Sequence, residues 1–326
     1  MKTIDRLKNV FTRGQVVPVP EFPKSIILEP TNACNLRCRM CPIYGEGVNN
    51  HREVGFIKKA IWTNLIDELG SWPSRVDLDV HGAGEPLLHP HFLDILSYVK
   101  TKENISLGFL CNGTLFDHAK ARAVIEIGVD WICFSVDGAE KDIFEYYRKG
   151  AVLEAVEDNI RYFLSLRKNE KPHIRLNMVH HEEAALDLFI DKWAGIADSL
   201  SISIKRPARR EYNSRLKLLK PCPLLYQQLA VGWPGKTGLC CEDIWGDYIT
   251  GEFPTQSLYE IWHGRYLEEA RKLHEVFKPD KLHLCKTCNA QIFHRQEVKI
   301  AEKNGVKTYI SRELTETNPD LALSVQ

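Results

Sequence analysis

Short apolar runs alternate with amphipathic segments along the first two thirds of the chain. Trp131–Val136 is almost continuously apolar, which is typical of a strand buried on both faces. From Ile57 to Leu69, apolar residues recur every four positions and fall on one face of a helix. The predicted strands are Ser25–Thr31, Arg75–Gly82, Ser106–Asn112, Trp131–Gly138, His173–His180 and Ser199–Lys205. The predicted helices include Ile57–Leu69, His91–Lys102, His118–Gly128, Leu153–Arg167 and Ala184–Ala194.

This alternation predicts an α/β fold of βα units on a parallel sheet, over residues 24–205. Six units form either a doubly wound sheet or an incomplete barrel, and local patterns do not choose between them. Residues 1–23 are an N-terminal extension, and the basic, polar stretch 206–220 is a predicted linker. A small metal-stapled domain is predicted at 221–296. In the polar tail, 297–326, we expect a helix followed by loose chain.

Composition narrows the class of protein. The 326 residues are 44% hydrophobic, which is enough for a large core. Lysine plus arginine equals aspartate plus glutamate, so the formal net charge is zero, which argues against a dedicated nucleic-acid binder. Met1–Gln15 has no apolar signal-peptide core, and no run approaches the length of a membrane span. We therefore expect a soluble, cytoplasmic protein without a membrane partner.

Ten cysteines are the most informative part of the composition. A reducing cytoplasm disfavours a disulfide framework, so clustered cysteines indicate metal binding. The cysteines are Cys34, Cys38, Cys41, Cys111, Cys133, Cys222, Cys240, Cys241, Cys285 and Cys288.

Cys34, Cys38 and Cys41 directly follow the first predicted strand. In βα architectures the loops at the carboxyl ends of strands hold the active sites. Three thiolates within eight residues can bind a four-iron cluster and leave one iron open, as a catalytic metal requires. The alternative is a structural zinc site completed by a histidine such as His51, although zinc sites favour two-residue gaps between cysteines.

A second candidate metal site combines Cys222, Cys240, Cys285 and Cys288. The alternative is a zinc ribbon, but only Cys285 and Cys288 are separated by the two residues that a ribbon favours. Cys241 adjoins Cys240, so the spacing leaves open which of the two is a ligand.

The Cys-x3-Cys-x2-Cys spacing after the first strand resembles the signature of the radical S-adenosylmethionine (SAM) superfamily. The resemblance implies a partial (β/α)6 barrel, with a [4Fe–4S] cluster whose open iron binds SAM. Reductive cleavage of SAM then gives a 5′-deoxyadenosyl radical, which abstracts hydrogen from a substrate. An electron donor such as flavodoxin or ferredoxin is implied as well. Met40 replaces a residue that is often aromatic in the family and that helps to hold the adenine through its backbone.

Several residues resemble the SAM-binding positions of that family. The Gly-Ala-Gly84-Glu85 turn is similar to its Gly-Gly-Glu stretch, which implies contact with the SAM ammonium group, although such turns are common. Ser135-Val-Asp137-Gly resembles its Ser-x-Asp-Gly strand ending. Arg148 is implied to hold the SAM carboxylate or ribose, and its alternative is an ordinary arginine on a helix surface. The residues that the resemblance assigns to SAM are Met40, Gly84, Glu85, Asn112, Ser135, Asp137, Arg148 and Asn177.

The second cysteine set resembles the C-terminal SPASM/twitch extension of radical SAM enzymes. Leu258–Trp262 and Arg265 also recur in that extension, and its Gly-x4-Cys spacing selects Cys240 as the ligand. No cysteine follows Cys288, so the resemblance implies the short twitch form with one auxiliary [4Fe–4S] cluster.

Three functions fit these features. The first is dehydrogenation or epimerisation of a small polar substrate, such as a sugar or aminocyclitol. The second is a maturase that modifies a ribosomally made peptide, although about 24 residues before the first strand are too few for a peptide-recognition domain. The third, from another class, is a zinc-stapled binding protein without catalysis.

Three further cysteines lie outside the two predicted metal sites. Cys111 and Cys133 are expected to fill the core, and Cys133 shares its strand parity with Ser135. Cys241 is a candidate catalytic residue, because a thiol beside the auxiliary cluster could donate the hydrogen atom that ends an epimerisation. Its alternative is that it merely adjoins a cluster ligand.

Overall fold

The computed structural model describes residues 18–168, 171–180, 183–204, 221–286, 288, 295–303 and 305–314. The predicted linker 206–220 lies outside the described residues. So do Lys205, Arg206 and Arg209, which the sequence offers as contacts for anionic groups, although a solvated linker is the favoured interpretation.

Six parallel strands form the centre of the sheet, and they follow one another in sequence order from β1 to β6. A doubly wound sheet would reverse its strand order near the middle. Sequential order instead puts every right-handed crossover on the same face, so the sheet is part of a barrel. The predicted partial (β/α)6 barrel is confirmed. The strands are β1 Ser25–Leu28, β2 Val76–Val80, β3 Ile105–Cys111, β4 Trp131–Ser135, β5 His173–His180 and β6 Ser199–Ile204.

Six helices connect or follow these strands. In α5 the buried residues Leu153, Val156, Ile160 and Phe163 recur every three or four positions, which makes one apolar stripe against the sheet. The predicted helices are confirmed to within three residues at each end, but Lys141–Tyr147 was missed as a helix. The helices are α1 Lys59–Ser71, α2 Phe92–Val99, α3 His118–Ile127, α4 Lys141–Tyr147, α5 Leu153–Leu166 and α6 Glu183–Trp193.

The two faces of the barrel sheet differ in chemistry. Ile132 and Phe134 of β4 belong to the core under the helices, and the Phe134 ring lies 6.2 Å from that of Phe163 in α5. Alternation then directs Trp131, Cys133 and Ser135 to the inner face. The shared inward parity predicted for Cys133 and Ser135 is therefore confirmed.

The C-terminal region continues the barrel sheet beyond β1. Strand β7 pairs with β1 in parallel, and β8 and β9 follow as antiparallel strands. A capping box of Ser257 and Glu260 begins the next helix. The elements are β7 Gln228–Val231, β8 Lys236–Gly238, β9 Ile249–Glu252, α7 Leu258–Trp262, α8 Arg265–Glu275 and α9 His283–Lys286.

The helix predicted in the tail is wrong. Residues Arg295–Lys303 and Val306–Leu314 form an antiparallel hairpin, β10 and β11, and β11 adds to β6 in parallel. Lys303 pairs with Val306 across a two-residue turn that contains Gly305 at φ 75°. The Asn304-Gly305 dipeptide between alternating residues is a strong hairpin signal in the sequence, which the polar composition obscured.

No helix among the described residues is long and apolar enough to cross a membrane.

Candidate active site and auxiliary cluster site

The first cysteine set lies at the carboxyl end of β1. Burial raises the pKa of the Cys38 thiol to about 11, the charge of Arg148 lowers it, and those of Cys41 and Cys34 raise it further. The three sulfurs thus lie within electrostatic reach of one another. The backbone N–H groups of Ile43 and Tyr44 point at the Cys41 sulfur from 3.4 and 3.3 Å. Buried thiols with N–H groups directed at sulfur fit an iron–sulfur cluster, because metal binding deprotonates the thiol and N–H donors stabilise the thiolate.

Arg148 faces this cysteine loop. The backbone N–H groups of Arg37 and Arg39 donate to the carbonyls of Lys149 and Tyr147, which fixes the loop against the end of α4. Arg148 is 8% exposed, so the helix-surface alternative is wrong.

The Asp137 carboxylate holds the Arg148 side chain in place. It is fully buried, and its Oδ2 lies 2.7 Å from Arg148 Nε. Its Oδ1 accepts a hydrogen bond from Val179 N at 2.8 Å. Asp137 therefore pairs with Arg148 through one carboxylate oxygen and with the backbone of β5 through the other.

The glycine turn after β2 packs on the cysteine loop. A Cβ on Gly84 would lie 2.2 Å from the Ala33 carbonyl oxygen, so only glycine permits this approach. Glu85 donates its backbone N–H to that oxygen at 2.8 Å, and its carboxylate accepts from Asn112 N at 2.7 Å. Burial raises the pKa of Glu85 to about 7. The turn therefore joins the ends of β1, β2 and β3.

Other residues assigned to SAM line the same end of the barrel. Asn112 donates from Nδ2 to Asn35 Oδ1 at 2.9 Å, beside Cys34. Ser135 and Asn177 are paired neighbours on β4 and β5, and Ser203 Oγ donates to Asn177 Oδ1 at 3.2 Å. Met40 is half-buried between Cys38 and Cys41. The structure therefore gathers the predicted positions around one opening, and their SAM contacts stay predictions.

The second cysteine set also converges. Burial raises the pKa of Cys222 to about 11, and the charge of Cys288 acts in the same direction. Burial raises the pKa of Cys240 well above its usual range, and Cys241, Cys222 and Cys285 add to the effect. Cysteines separated by more than 60 residues therefore lie within electrostatic reach of one another. The choice of Cys240 over Cys241 as the ligand stays a prediction.

Two polar contacts at these sites were not predicted. Arg52 binds the Glu29 carboxylate at 3.0 and 2.5 Å and donates to the Ile244 carbonyl at 2.9 Å. This pair ties the barrel to the loop after Cys240. His274, 1% exposed, lies between Cys222 and Cys285. No local pattern marks either contact, because each depends on residues far apart in the chain. His51, the histidine of the zinc alternative, is exposed beside Trp245 instead.

Two family models match the chain. The radical SAM superfamily matches residues 28–184, and the SPASM model, an iron–sulfur cluster-binding domain, matches residues 222–289. The chain belongs to the radical SAM superfamily and carries a C-terminal SPASM domain. Its cofactors are accordingly SAM, a [4Fe–4S] cluster and auxiliary iron–sulfur in the SPASM domain. Both zinc alternatives and the non-catalytic binding protein are set aside by this membership.

Two curated relatives match different shares of this chain. The tungsten-containing aldehyde ferredoxin oxidoreductase cofactor-modifying protein of Pyrococcus furiosus is 34% identical over 116 residues, 35% of this chain and 31% of that protein. The chain thus matches less than a third of that relative's length. The SAM-dependent 2-deoxy-scyllo-inosamine dehydrogenase of Niallia circulans is 23% identical over 269 residues, 81% of this chain and 92% of that protein.

Solved structures share the fold. BtrN in complex with AdoMet and 2-DOIA superposes with a TM-score of 0.58 at 17% identity, over 84% of this chain and 96% of that one. SuiB of Streptococcus suis bound to S-adenosylmethionine has a TM-score of 0.65 at 13% identity, over 78% and 69% of the two chains. At these identities the likeness establishes the architecture alone.

Proposed function

We propose that this enzyme cleaves SAM reductively and abstracts hydrogen from a small polar ring-shaped substrate held inside the barrel. Cys34, Cys38 and Cys41 would hold the catalytic cluster, which supplies the electron for SAM cleavage. Cys222, Cys240, Cys285 and Cys288 would hold one auxiliary [4Fe–4S] cluster. The observation that carries the proposal is the chemistry of the barrel's inner face.

The inner face is polar and partly open to solvent. A closed (β/α)8 barrel fills its interior with branched apolar side chains. Here β2 directs Asp77 and Asp79 inward and β5 directs Arg175 and Asn177 inward, all half-buried, whereas the outward residues of the same strands are buried. Burial raises the pKa of Asp79 to about 7, and the Asp77 charge acts in the same direction. Such a lumen suits a ligand with several hydroxyl or amino groups.

Trp131 gives this lumen an aromatic wall. A Cβ on Gly108 would lie 1.9 Å from the indole, so the ring occupies the space that a side chain there would need. The Arg175 guanidinium lies 5.7 Å from the ring centre. An indole face beside a carboxylate and a guanidinium can stack on the apolar face of a sugar or cyclitol while binding its hydroxyls.

Trp131 and Arg175 lie deeper in the barrel than the residues proposed to hold SAM. Trp131 lies four residues before Ser135 on β4, and Arg175 lies two residues before Asn177 on β5. Both are therefore further from the strand ends than the residues proposed to hold SAM. The similarity over 81% of the chain to a 2-deoxy-scyllo-inosamine dehydrogenase supports the same substrate class.

The test uses the reconstituted enzyme with SAM and dithionite. A carbon-deuterated aminocyclitol, 2-deoxy-scyllo-inosamine, is expected to transfer deuterium into 5′-deoxyadenosine. Trp131→Leu and Asp79→Asn should each raise KM about tenfold, while SAM cleavage without substrate continues as an internal control. Deuterium transfer from a short peptide but not from any cyclic polyol would replace this proposal with peptide modification.

Replacing Cys241 would test how turnover ends. Loss of an electron from the substrate radical would give dehydrogenation, and gain of a hydrogen atom would give epimerisation. If Cys241 is the donor, product formed in deuterated water carries one solvent deuterium. Cys241→Ser should then still abstract hydrogen but fail to complete inversion. Unaltered product without deuterium would leave oxidation, with the auxiliary cluster as electron acceptor. Mass spectrometry of product distinguishes these outcomes.

A further inference from the structure

Helix α8 directs two polar residues into the interior of the SPASM domain. Its buried stripe is Leu267, Ala270, Arg271 and His274. Arg271 donates from Nε to the Leu225 carbonyl at 2.9 Å and from Nη1 to the Trp262 carbonyl at 2.8 Å. The helix is thereby fixed against the turn that begins at Cys222. Buried polar groups in such a stripe are retained only where they have partners.

His274 contacts two cysteine-bearing segments at once. Its Nδ1 lies 3.2 Å from the backbone N of Cys222, and its Nε2 lies 3.4 Å from the sulfur of Cys285. A backbone N–H can only donate, so Nδ1 must be the unprotonated acceptor. A neutral imidazole then carries its proton on Nε2. The geometry therefore makes His274 an N–H donor to the Cys285 sulfur.

We propose that His274 is a positioning residue of the auxiliary cluster, which aligns Cys222 with Cys285 and raises the cluster's reduction potential through an N–H···S hydrogen bond. The inference rests on the proposed function, because it takes Cys222 and Cys285 to be ligands of one cluster. Reduction adds negative charge, part of which falls on the thiolate sulfurs. A donor directed at one sulfur stabilises the reduced form, and hydrogen bonds to sulfur are among the factors that set such potentials.

This role would link α8 to the reaction. A cluster with a higher reduction potential accepts an electron more readily from a substrate radical. The hydrogen bond lies in a buried site, where a donor acts more strongly than in water. Removing the N–H donor of His274 should therefore make the auxiliary cluster a weaker electron acceptor without changing the barrel.

The experiment tests the roles of the two His274 nitrogens with different substitutions. The background is the full chain with Cys34, Cys38 and Cys41 replaced by alanine, so that only the auxiliary cluster contributes. His274→Asn keeps an acceptor near the Nδ1 position, and His274→Gln keeps a donor near Nε2. His274→Leu removes both. The control is His263→Gln, because His263 is exposed and its Nε2 lies 2.8 Å from the Glu21 carbonyl.

Iron content, thermal melting and an EPR-monitored redox titration are the readouts. His274→Asn should retain iron but lower the equilibrium constant for reduction of the cluster about tenfold. For a one-electron couple this lowers the reduction potential by about 59 mV. His274→Gln should recover part of that shift, and His274→Leu should also lose iron and thermal stability. An unchanged potential in the Asn and Leu variants would overturn the inference while leaving the proposed function intact. A background that binds no iron would overturn both.

Discussion

Replacing Cys34, Cys38 and Cys41 together by alanine is expected to abolish SAM cleavage and to lower the iron content from about eight to about four atoms per chain. The physical reason is that the three thiols of the first set interact with one another, whereas Cys240 of the second set interacts with Cys222 and Cys285. Loss of the first set should therefore leave the second cluster in place.

The readouts are iron and sulfide analysis of anaerobically purified protein, and 5′-deoxyadenosine measured after reduction with dithionite. Cys133→Ala is the matched control, because Cys133 is buried in the barrel but belongs to neither set. It should keep about eight irons. Formation of 5′-deoxyadenosine by the triple variant would show that the catalytic cluster is bound elsewhere. Stoichiometric zinc without charge-transfer absorption would contradict both cluster assignments.

Single replacement of Cys222, Cys240, Cys285 or Cys288 by alanine is expected to lower the free energy of unfolding by about 3 kcal/mol or more. Cys222 begins the turn after the linker, Cys285 lies on the four-residue helix α9, and Cys240 follows β8. These elements are short, so the proposed shared cluster would be the main bond that connects them.

The neighbouring pair Cys240 and Cys241 supplies the control for that series. Cys240→Ala should lose about half the iron and melt at a lower temperature. Cys241→Ala should do neither if Cys240 is the ligand, as its Gly-x4-Cys spacing predicts. Thermal melting and iron analysis measure the difference. The opposite order would make Cys241 the ligand, and wild-type stability in all four ligand variants would rule out a shared cluster.

The barrel shows which features local sequence patterns predict and which they do not. The strand at His173–His180 was predicted with the bounds that the structure has, because Ile174, Leu176 and Met178 alternate with polar residues. Arg148 could not be placed from the sequence, because no local pattern distinguishes a cofactor-binding arginine from one on a helix surface. Its contact with Asp137 depends on β4 and α4 folding back on each other. The Asn304-Gly305 signal was present in the sequence and was outweighed by the polar composition of the tail.

The sequence by itself determined the metal-binding character of the first cysteine set and the βα order of the barrel. Both are local properties: ligand spacing within eight residues, and apolar periods of two or four positions. The tertiary structure alone decided that Trp131, Asp79 and Arg175 line one lumen. It alone decided that His274 bridges Cys222 and Cys285. Such contacts join residues that are tens of positions apart, and strand register and helix docking bring them together without a local signal.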